Sequence, residues 1–461
     1  MTEALTLAEA PGPRGHWFWG SIQERRHQPL QLFLRAHQEY GDLVRLRMGP
    51  TISLVSVASP ELVKHVLVDH PDVYGKPPRL FAPAAPLLGN GLISSDGDFW
   101  KRQRRLMQPA FHRERLAGLT HLMVDSTQRM LARWRARPSS SEPLDIAAEM
   151  MRLTLGIVGR ALFSTDVSGT ADRVGQALGA ALEGTNHRML SLGLRAPDFL
   201  PTARNRAYRD AISILDTVVY DIIARRRAGE THGDDLLSML MAAQDADTGE
   251  RMTDQQLRDE TMTLFLAGHE TTANGLAWMW HLLSHHPEVE ARARAEVESA
   301  LQGRPPTVED LPRLRYLTQL FEETMRLYPP AWIVGRMAKK EDVLGGVRIP
   351  ASPRVIIVTS PYVVHRNPRV WPDPERFDPD RFSPERSAER PRLAYLPFGG
   401  GQRLCIGNNF ALMEAPLITA AVLQHFRLRA VAGHVPEPEP SITLRPKNGL
   451  PMLVEPLQAR A

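Results

Sequence analysis

The stretch Phe398-Gly399-Gly400-Gly401-Gln402-Arg403-Leu404-Cys405-Ile406-Gly407 holds the only cysteine in the chain. Its glycines permit close backbone approach and dihedrals barred to other residues. Backbone amides in such a loop can temper the charge of a thiolate. A helical pattern beginning near Ile406 brings a positive helix end towards the sulfur. Arg403, two residues before the cysteine, can pair with a carboxylate. A thiolate so placed can act as a nucleophile, a redox centre or an axial ligand to haem iron. The bland alternative is a buried structural thiol. A dinucleotide-binding fingerprint fails, because Leu404 stands where its last glycine would fall.

Upstream, Ala267-Gly268-His269-Glu270-Thr271-Thr272 interrupts the longest helical pattern, Met252 to His285, which Thr253 is placed to cap. From Met262 to Trp280 that pattern is apolar on nearly all sides, as suits a helix through a large core. A carboxylate there is costly. Gly268 weakens the helix and the Thr271 hydroxyl can bond a backbone carbonyl, so a bulge or kink is expected. Glu270 and Thr271 would then form an acid–alcohol pair able to deliver protons. A zinc-protease reading of His269-Glu270 fails, since Ala273 occupies the second histidine position.

Two further pairs share helix faces. In Glu323-Thr324-Met325-Arg326 the spacing is i, i+3, but Glu322 is adjacent and periodicity leaves open which carboxylate faces inward. Trp100 and Arg104 are spaced i, i+4, and a core Trp beside a solvated Arg is the ordinary reading. Lys101, Arg102, Arg104, Arg105, Arg113 and Arg115 form a basic cluster, either a solvated face or a docking site for an acidic partner.

The 461 residues are 43% hydrophobic and 23% charged, with a net charge of +4. That is globular composition, and too little charge to imply nucleic-acid binding. No linker or repeat divides the chain, so one domain over residues 1–461 is expected. A lone cysteine excludes an intramolecular disulfide and fits a reducing, cytoplasmic setting. No apolar run approaches the roughly 18 residues that span a bilayer, and Met1 to Pro13 lacks a signal-peptide core. Trp17-Phe18-Trp19 is expected to pack against the body rather than touch a membrane surface.

Helical periodicity marks Pro60 to Asp69, Asp98 to Pro109, Leu116 to Ala136, Ile146 to Phe163, Ala207 to Arg227, a helix opening at Pro287, and Leu314 to Leu327, which Pro329-Pro330 stops. Leu43 to Met48 and Ile52 to Val57 read as a hairpin across Gly49-Pro50, and Val355 to Val358 as a short buried strand. Short strands and turns follow from Phe426 to Leu453. The fold class is mainly α (α+β) with a small β region.

Phe398-x-x-Gly401-x-Arg403-x-Cys405-x-Gly407 resembles the haem-binding signature of the cytochrome P-450 family. The resemblance extends to Ala267-Gly268-x-Glu270-Thr271 and to Glu323-x-x-Arg326, and effectively covers the chain. It implies a helix-rich haem domain binding haem b, with Cys405 as the iron's axial ligand. Phe398, Gly407 and Ala267 would line the cofactor, and Arg403, Arg104, Trp100 and Arg336 would meet its carboxylates. Glu270 and Thr271 would be catalytic. Glu323, Arg326 and Arg381 would form a structural network, with Arg381 preferred over Arg376 by register. His365 is also familiar from the family, with contact to haem left open.

The implied activity is insertion of one oxygen atom from dioxygen into an apolar substrate such as a lipid, terpenoid or steroid. Electrons would come from NAD(P)H through a ferredoxin or flavodoxin and its reductase. A peroxide-driven peroxygenase and a non-catalytic haem protein are the alternatives. Too few residues follow Cys405 for a fused flavin or iron–sulfur module. By family position, Phe81, Leu87, Leu88, Leu264, Ala267, Trp332, Ile333, Val334, Ile442 and Thr443 would line the substrate pocket, with core packing as the alternative for each. The loops at 78–93 and 187–202 would then set the substrate.

Overall fold

The structure is a computed structural model, and it describes residues 4–163, 168–190, 200–229, 235–245 and 247–457. The part of the 187–202 loop from 191 to 199 lies outside the described residues. The main helices in chain order are α1 (Pro60–Lys64), α2 (Gly97–Met107), α3 (Thr120–Arg135), α4 (Ile146–Phe163), α5 (Ser168–Leu190) and α6 (Ala203–Arg227). They continue as α7 (Asp254–His285), α8 (Pro287–Leu301), α9 (Arg315–Leu327) and α10 (Asn408–Leu423). The strands that matter below are β1 (Leu43–Met48), β2 (Ile52–Val57), β3 (Tyr74–Gly75), β4 (Leu144–Asp145), β5 (Val334–Ala338), β6 (Val355–Thr359), β7 (Phe426–Ala430) and β8 (Pro451–Pro456). The chain is therefore mainly helical with small sheets, as its patterning implies.

Contacts divide the chain into two compact units. The first comprises Met1–Pro83, Met325–Cys405 and Ile442–Leu444. Its centre is a five-stranded sheet of order β1-β2-β6-β5-β3. The β1–β2 hairpin pairs Leu43 with Val57 and Met48 with Ile52, and Gly49 turns it at φ +72°. β6 runs parallel to β2, a partner roughly 300 residues away in sequence that no local pattern announces. Apolar side chains pack on both faces of this sheet. Val57, Val63, Val66, Leu344 and Ile357 form one cluster, and Leu32, Phe33, Leu46, Val358 and Trp332 the other. α1 opens at Ser59, whose hydroxyl accepts from Leu62 N, and continues as one π-helical turn over His65–Asp69.

The second unit comprises Ala84–Thr324, Ile406–Ser441 and Arg445–Ala461. α7 runs through it. The helix opens on a reciprocal capping box, Thr253 Oγ1 accepting from Gln256 N and Gln256 Oε1 from Thr253 N. Its Trp278, Met279 and Trp280 are buried, and α4 lies along it. α10 packs on α3, and β4, β8 and β7 form a separate three-stranded sheet.

The structure corrects one expectation here. Trp17 is 79% exposed, and Phe18 and Trp19 are each 40% exposed. Hydrophobicity predicts that these side chains seek cover, but the turn that carries them holds them outward.

Candidate active site

The cysteine loop of the first unit is held by its own backbone. Cys405 N donates to Phe398 O at 2.9 Å, closing the loop on itself. Gly399 and Gly401 adopt φ of +74° and +67°, which other residues avoid. A Cβ on Gly401 would lie 1.8 Å from the Leu67 carbonyl oxygen, so the π-helical turn after α1 sits directly against this residue. Gly407 needs no such freedom, since its φ is −89°. Arg403 ends the short 3-10 turn Gly401–Arg403, and Cys405 is exposed. α10 begins at Asn408, two residues later than the pattern suggests.

The first unit also holds a buried arginine network. Arg326 is fully buried, its guanidinium donating to the carbonyls of His365, Pro374 and Arg376 at 3.0, 2.6 and 3.1 Å. Arg381 is also buried and donates to Asp373 O at 2.9 Å, whereas Arg376 is exposed. Glu323 has no exposed surface, while Glu322 keeps some, which identifies the inward carboxylate. His365 has both ring nitrogens engaged. Nε2 accepts from Leu396 N at 2.9 Å, so Nδ1 carries the proton and donates to Arg326 O at 3.2 Å. Burial holds its pKa well below the usual histidine value, and the neutral ring ties two backbone segments together. Arg336 lies on β5, 6% exposed, with Nη1 donating to Gly335 O.

In the second unit, α7 is buried from Leu257 to Trp280 except at Ala267, Gly268 and Thr271. Those positions are i, i+1 and i+4, a single window on one face. The expected bulge is absent and the helix runs unbroken through the motif. Its carbonyls are instead shared with hydroxyls. Thr271 Oγ1 donates to Ala267 O at 2.7 Å, Thr272 Oγ1 to Gly268 O at 3.3 Å, and Thr154 Oγ1 of α4 to His269 O at 2.9 Å. Gly268 serves packing, because a Cβ there would come within 3.0 Å of Val158 Cγ2. The ring of His269 faces inward, bonded to Phe265 O at 2.7 Å, and burial lowers its pKa to about 4. Glu270 is 7% exposed.

Two features of this unit escaped the sequence reading. Three successive charged residues of α7 grip the backbone at 86–92. Arg258 donates to Leu87 O and Pro86 O, Asp259 accepts from Asn90 N, and Glu260 accepts from Leu92 N. Arg258 also pairs with Asp216 of α6 at 2.5 Å. A run of charges at the start of a buried helix was the available signal. The second is Glu414 of α10, fully buried with no well-formed hydrogen bond to either oxygen. Burial pushes its carboxyl up to about 8, with the nearby Thr272 hydroxyl opposing that rise.

The remaining expected residues belong to both units. Trp100 is buried and Arg104 half-buried, both on α2. The basic cluster is partly paired with carboxylates. Arg102 pairs with Glu250 at 3.0 Å, and Arg105 with Asp245 at 3.2 Å and Asp247 at 2.7 Å. An acidic loop therefore neutralises much of it, and Arg113 and Arg115 stay exposed. Trp332 stands edge-on to Phe33 at 6.4 Å within the core of the first unit, and Ile333 and Val334 pack against its two apolar clusters. Thr443 is buried there and Ile442 half-buried. Phe81 lies under Lys76 Nζ at 4.4 Å. In the second unit, Leu87 and Leu264 are buried and Leu88 is half-buried.

The cysteine loop fits a haem. The one thiol is exposed on a loop that its own N–H closes onto Phe398 O, which leaves the sulfur placed to act as a ligand. No helix among the described residues is long and apolar enough to cross a membrane.

Comparison with known proteins agrees. The family description Cytochrome P-450 matches residues 10–452. Cyclooctatin synthase of Streptomyces melanosporofaciens is 43% identical over 92% of this chain and 91% of its own length. Pentalenene oxygenase of Streptomyces avermitilis is 38% identical over 93% of this chain and 91% of its own. The crystal structure of a cytochrome P-450 heme domain superposes with a TM-score of 0.88 at 29% identity, covering 97% of this chain and 98% of that one.

Proposed function

Because this chain belongs to the cytochrome P-450 family and is a monooxygenase of it, we propose that it hydroxylates or epoxidises a terpenoid, with the whole chain acting as one haem domain. Haem, when bound, supplies the activation of dioxygen and the insertion of one oxygen atom. Cys405 would hold the iron through its thiolate, and the loop closed by the Cys405 N–H would keep the sulfur in place. Trp100, Arg104, Arg336 and Arg403 would hold the carboxylates, with Phe398, Gly407 and Ala267 beside the ring.

The observation that carries the reading is the window on α7. Among otherwise buried residues, only Ala267, Gly268 and Thr271 are open there. Thr271 keeps its proton on the Ala267 carbonyl at 2.7 Å, and turning that hydroxyl outward offers the proton through the window. Glu270, next in sequence, would restore it. A hydroxyl at the open point of the helix, with a buried acid next to it in sequence, supports a dioxygen-dependent reaction over a peroxide-driven one. The substrate class rests on the terpenoid-oxidising relatives and on the apolar residues Leu87, Leu88 and Leu264. Electrons would come from NAD(P)H through a ferredoxin or flavodoxin and its reductase, with Arg113 and Arg115 the cations left open for an acidic partner.

The test is turnover of the holoenzyme with NADPH, a surrogate ferredoxin pair and a panel of terpene hydrocarbons under isotopically labelled dioxygen. A product carrying one labelled oxygen atom is expected. Turnover of that panel by hydrogen peroxide alone, or no turnover at all, would overturn the reading.

A further inference from the structure

The exposed aromatic run at 17–19 is a built feature of the first unit. His16 N donates to Gly20 O at 3.0 Å and Gly20 N to His16 O at 2.8 Å, closing a tight turn with the three rings at its tip. Inside that turn His16 Nδ1 accepts from Phe18 N and Trp19 N at 3.2 and 3.1 Å. Arg47 of β1 clamps it from outside, donating to His16 O and, at 2.8 Å, to Trp17 O. Gly20 has φ +59°, and a Cβ there would lie 2.1 Å from Arg47 O, so the turn is pressed against the sheet edge. The rings support one another. Trp17 and Phe18 are 5.5 Å apart, and Phe18 meets Trp19 edge-on at 4.9 Å.

The sequence flanking these rings is basic. Arg14 and Arg26 are exposed and pair with no carboxylate among the described residues. Glu24, the one acid between them, is engaged by Arg35. Three rings, two of them already more than half covered, cannot supply the roughly 800 Å² per side of a stable protein interface. They do match the requirement of a bilayer surface, where Trp rings seat at headgroup level and cations meet anionic lipid.

We propose that the Trp17–Phe18–Trp19 turn is a membrane-surface contact, its rings entering the headgroup boundary of a bilayer that carries anionic lipid. The contact is peripheral. It needs no spanning segment and does not depend on the reaction proposed above.

The experiment is flotation of the holoprotein with vesicles of phosphatidylcholine alone and of phosphatidylcholine mixed with phosphatidylglycerol. Binding should be stronger with phosphatidylglycerol and weaken as salt rises. The triple variant W17S/F18S/W19S should lose about tenfold or more of that binding, with its melting temperature and haem spectrum unchanged. Arg14→Glu with Arg26→Glu should remove the preference for anionic lipid and leave the residual binding. In the unaltered protein, brominated lipid should quench tryptophan emission, and Trp17→Phe should reduce that quenching. The proposal is overturned if the protein floats with neither vesicle, if the triple variant floats equally well, or if brominated lipid leaves the emission unchanged. It is also overturned if the three rings turn out to mediate only self-association, seen as a dimer that the triple variant abolishes without vesicle binding.

Discussion

In the cysteine loop the backbone does its own holding. Cys405 N bonds to Phe398 O, two glycines take left-handed dihedrals, and Gly401 is packed against one carbonyl. In the Ala267–Thr272 turn of α7 the holding is done by neighbours. Thr154 of α4 donates to the His269 carbonyl, Val158 fills the space over Gly268, and Glu414 stands buried near Thr272. The first arrangement tolerates no change at a few backbone positions. The second should lose function and stability separately, because different side chains carry them.

Gly401→Ala should produce the largest effect. The new Cβ meets the Leu67 carbonyl at 1.8 Å at a φ of +67°, so the cost should exceed about 3 kcal/mol. Thermal melting and haem content should both fall, whereas Gly407→Ala, at φ −89°, should leave the melting temperature near its starting value. Equal damage from the two would mean that the loop is not held as described.

Thr271→Ala comes next, and only in activity. The product formation rate should drop about 10²-fold, NAD(P)H consumption should continue, and the melting temperature should hold. Product yield per NAD(P)H that matches the parent would remove Thr271 from proton delivery.

Thr154→Val keeps the volume and deletes the donor to His269 O. It should cost about 1–2 kcal/mol in denaturant unfolding with a smaller effect on turnover. A change in turnover as large as that of Thr271→Ala would erase the separation of stability from function in α7.

The smallest effect is in pH dependence. Glu414 has a folded pKa raised to about 8 against an ordinary value of 4.5. Its neutral form is the one the fold favours, so its contribution is complete below about pH 4.5 and is lost as pH rises towards 8. Glu260, also raised to about 8 by burial, acts in the same direction. Glu414→Gln should therefore reduce the decline of melting temperature between pH 5 and 8, leaving the part due to Glu260. An unchanged slope would mean that Glu414 is not buried in its neutral form.

Local chemistry was legible in the sequence. The hairpin Leu43 to Val57, the bounds of α4 and the Thr253 cap each follow from neighbouring residues. So does the glycine loop, whose dihedral needs are written in its own letters. What could not be read depends on distant partners. The β2–β6 pairing, the grip of Arg258, Asp259 and Glu260 on residues 86–92, and the pairing of Arg102 and Arg105 with Asp245 and Glu250 join segments far apart in sequence. Gly268 misled for the same reason. Its flexibility suggested a bulge, while its use is to admit Val158 of another helix. Trp17 to Trp19 misled because residue type states an affinity for apolar surroundings without stating what covers the side chain.

The central claim is that Cys405 holds haem iron as a thiolate. Its most direct test is the reduced carbon monoxide spectrum of the holoprotein beside that of Cys405→Ser. The strongly red-shifted Soret band of a thiolate-ligated haem is expected in the unaltered protein, and its loss in a Cys405→Ser protein that remains folded. Absence of the band from the unaltered protein, or its survival in the variant, would contradict the account.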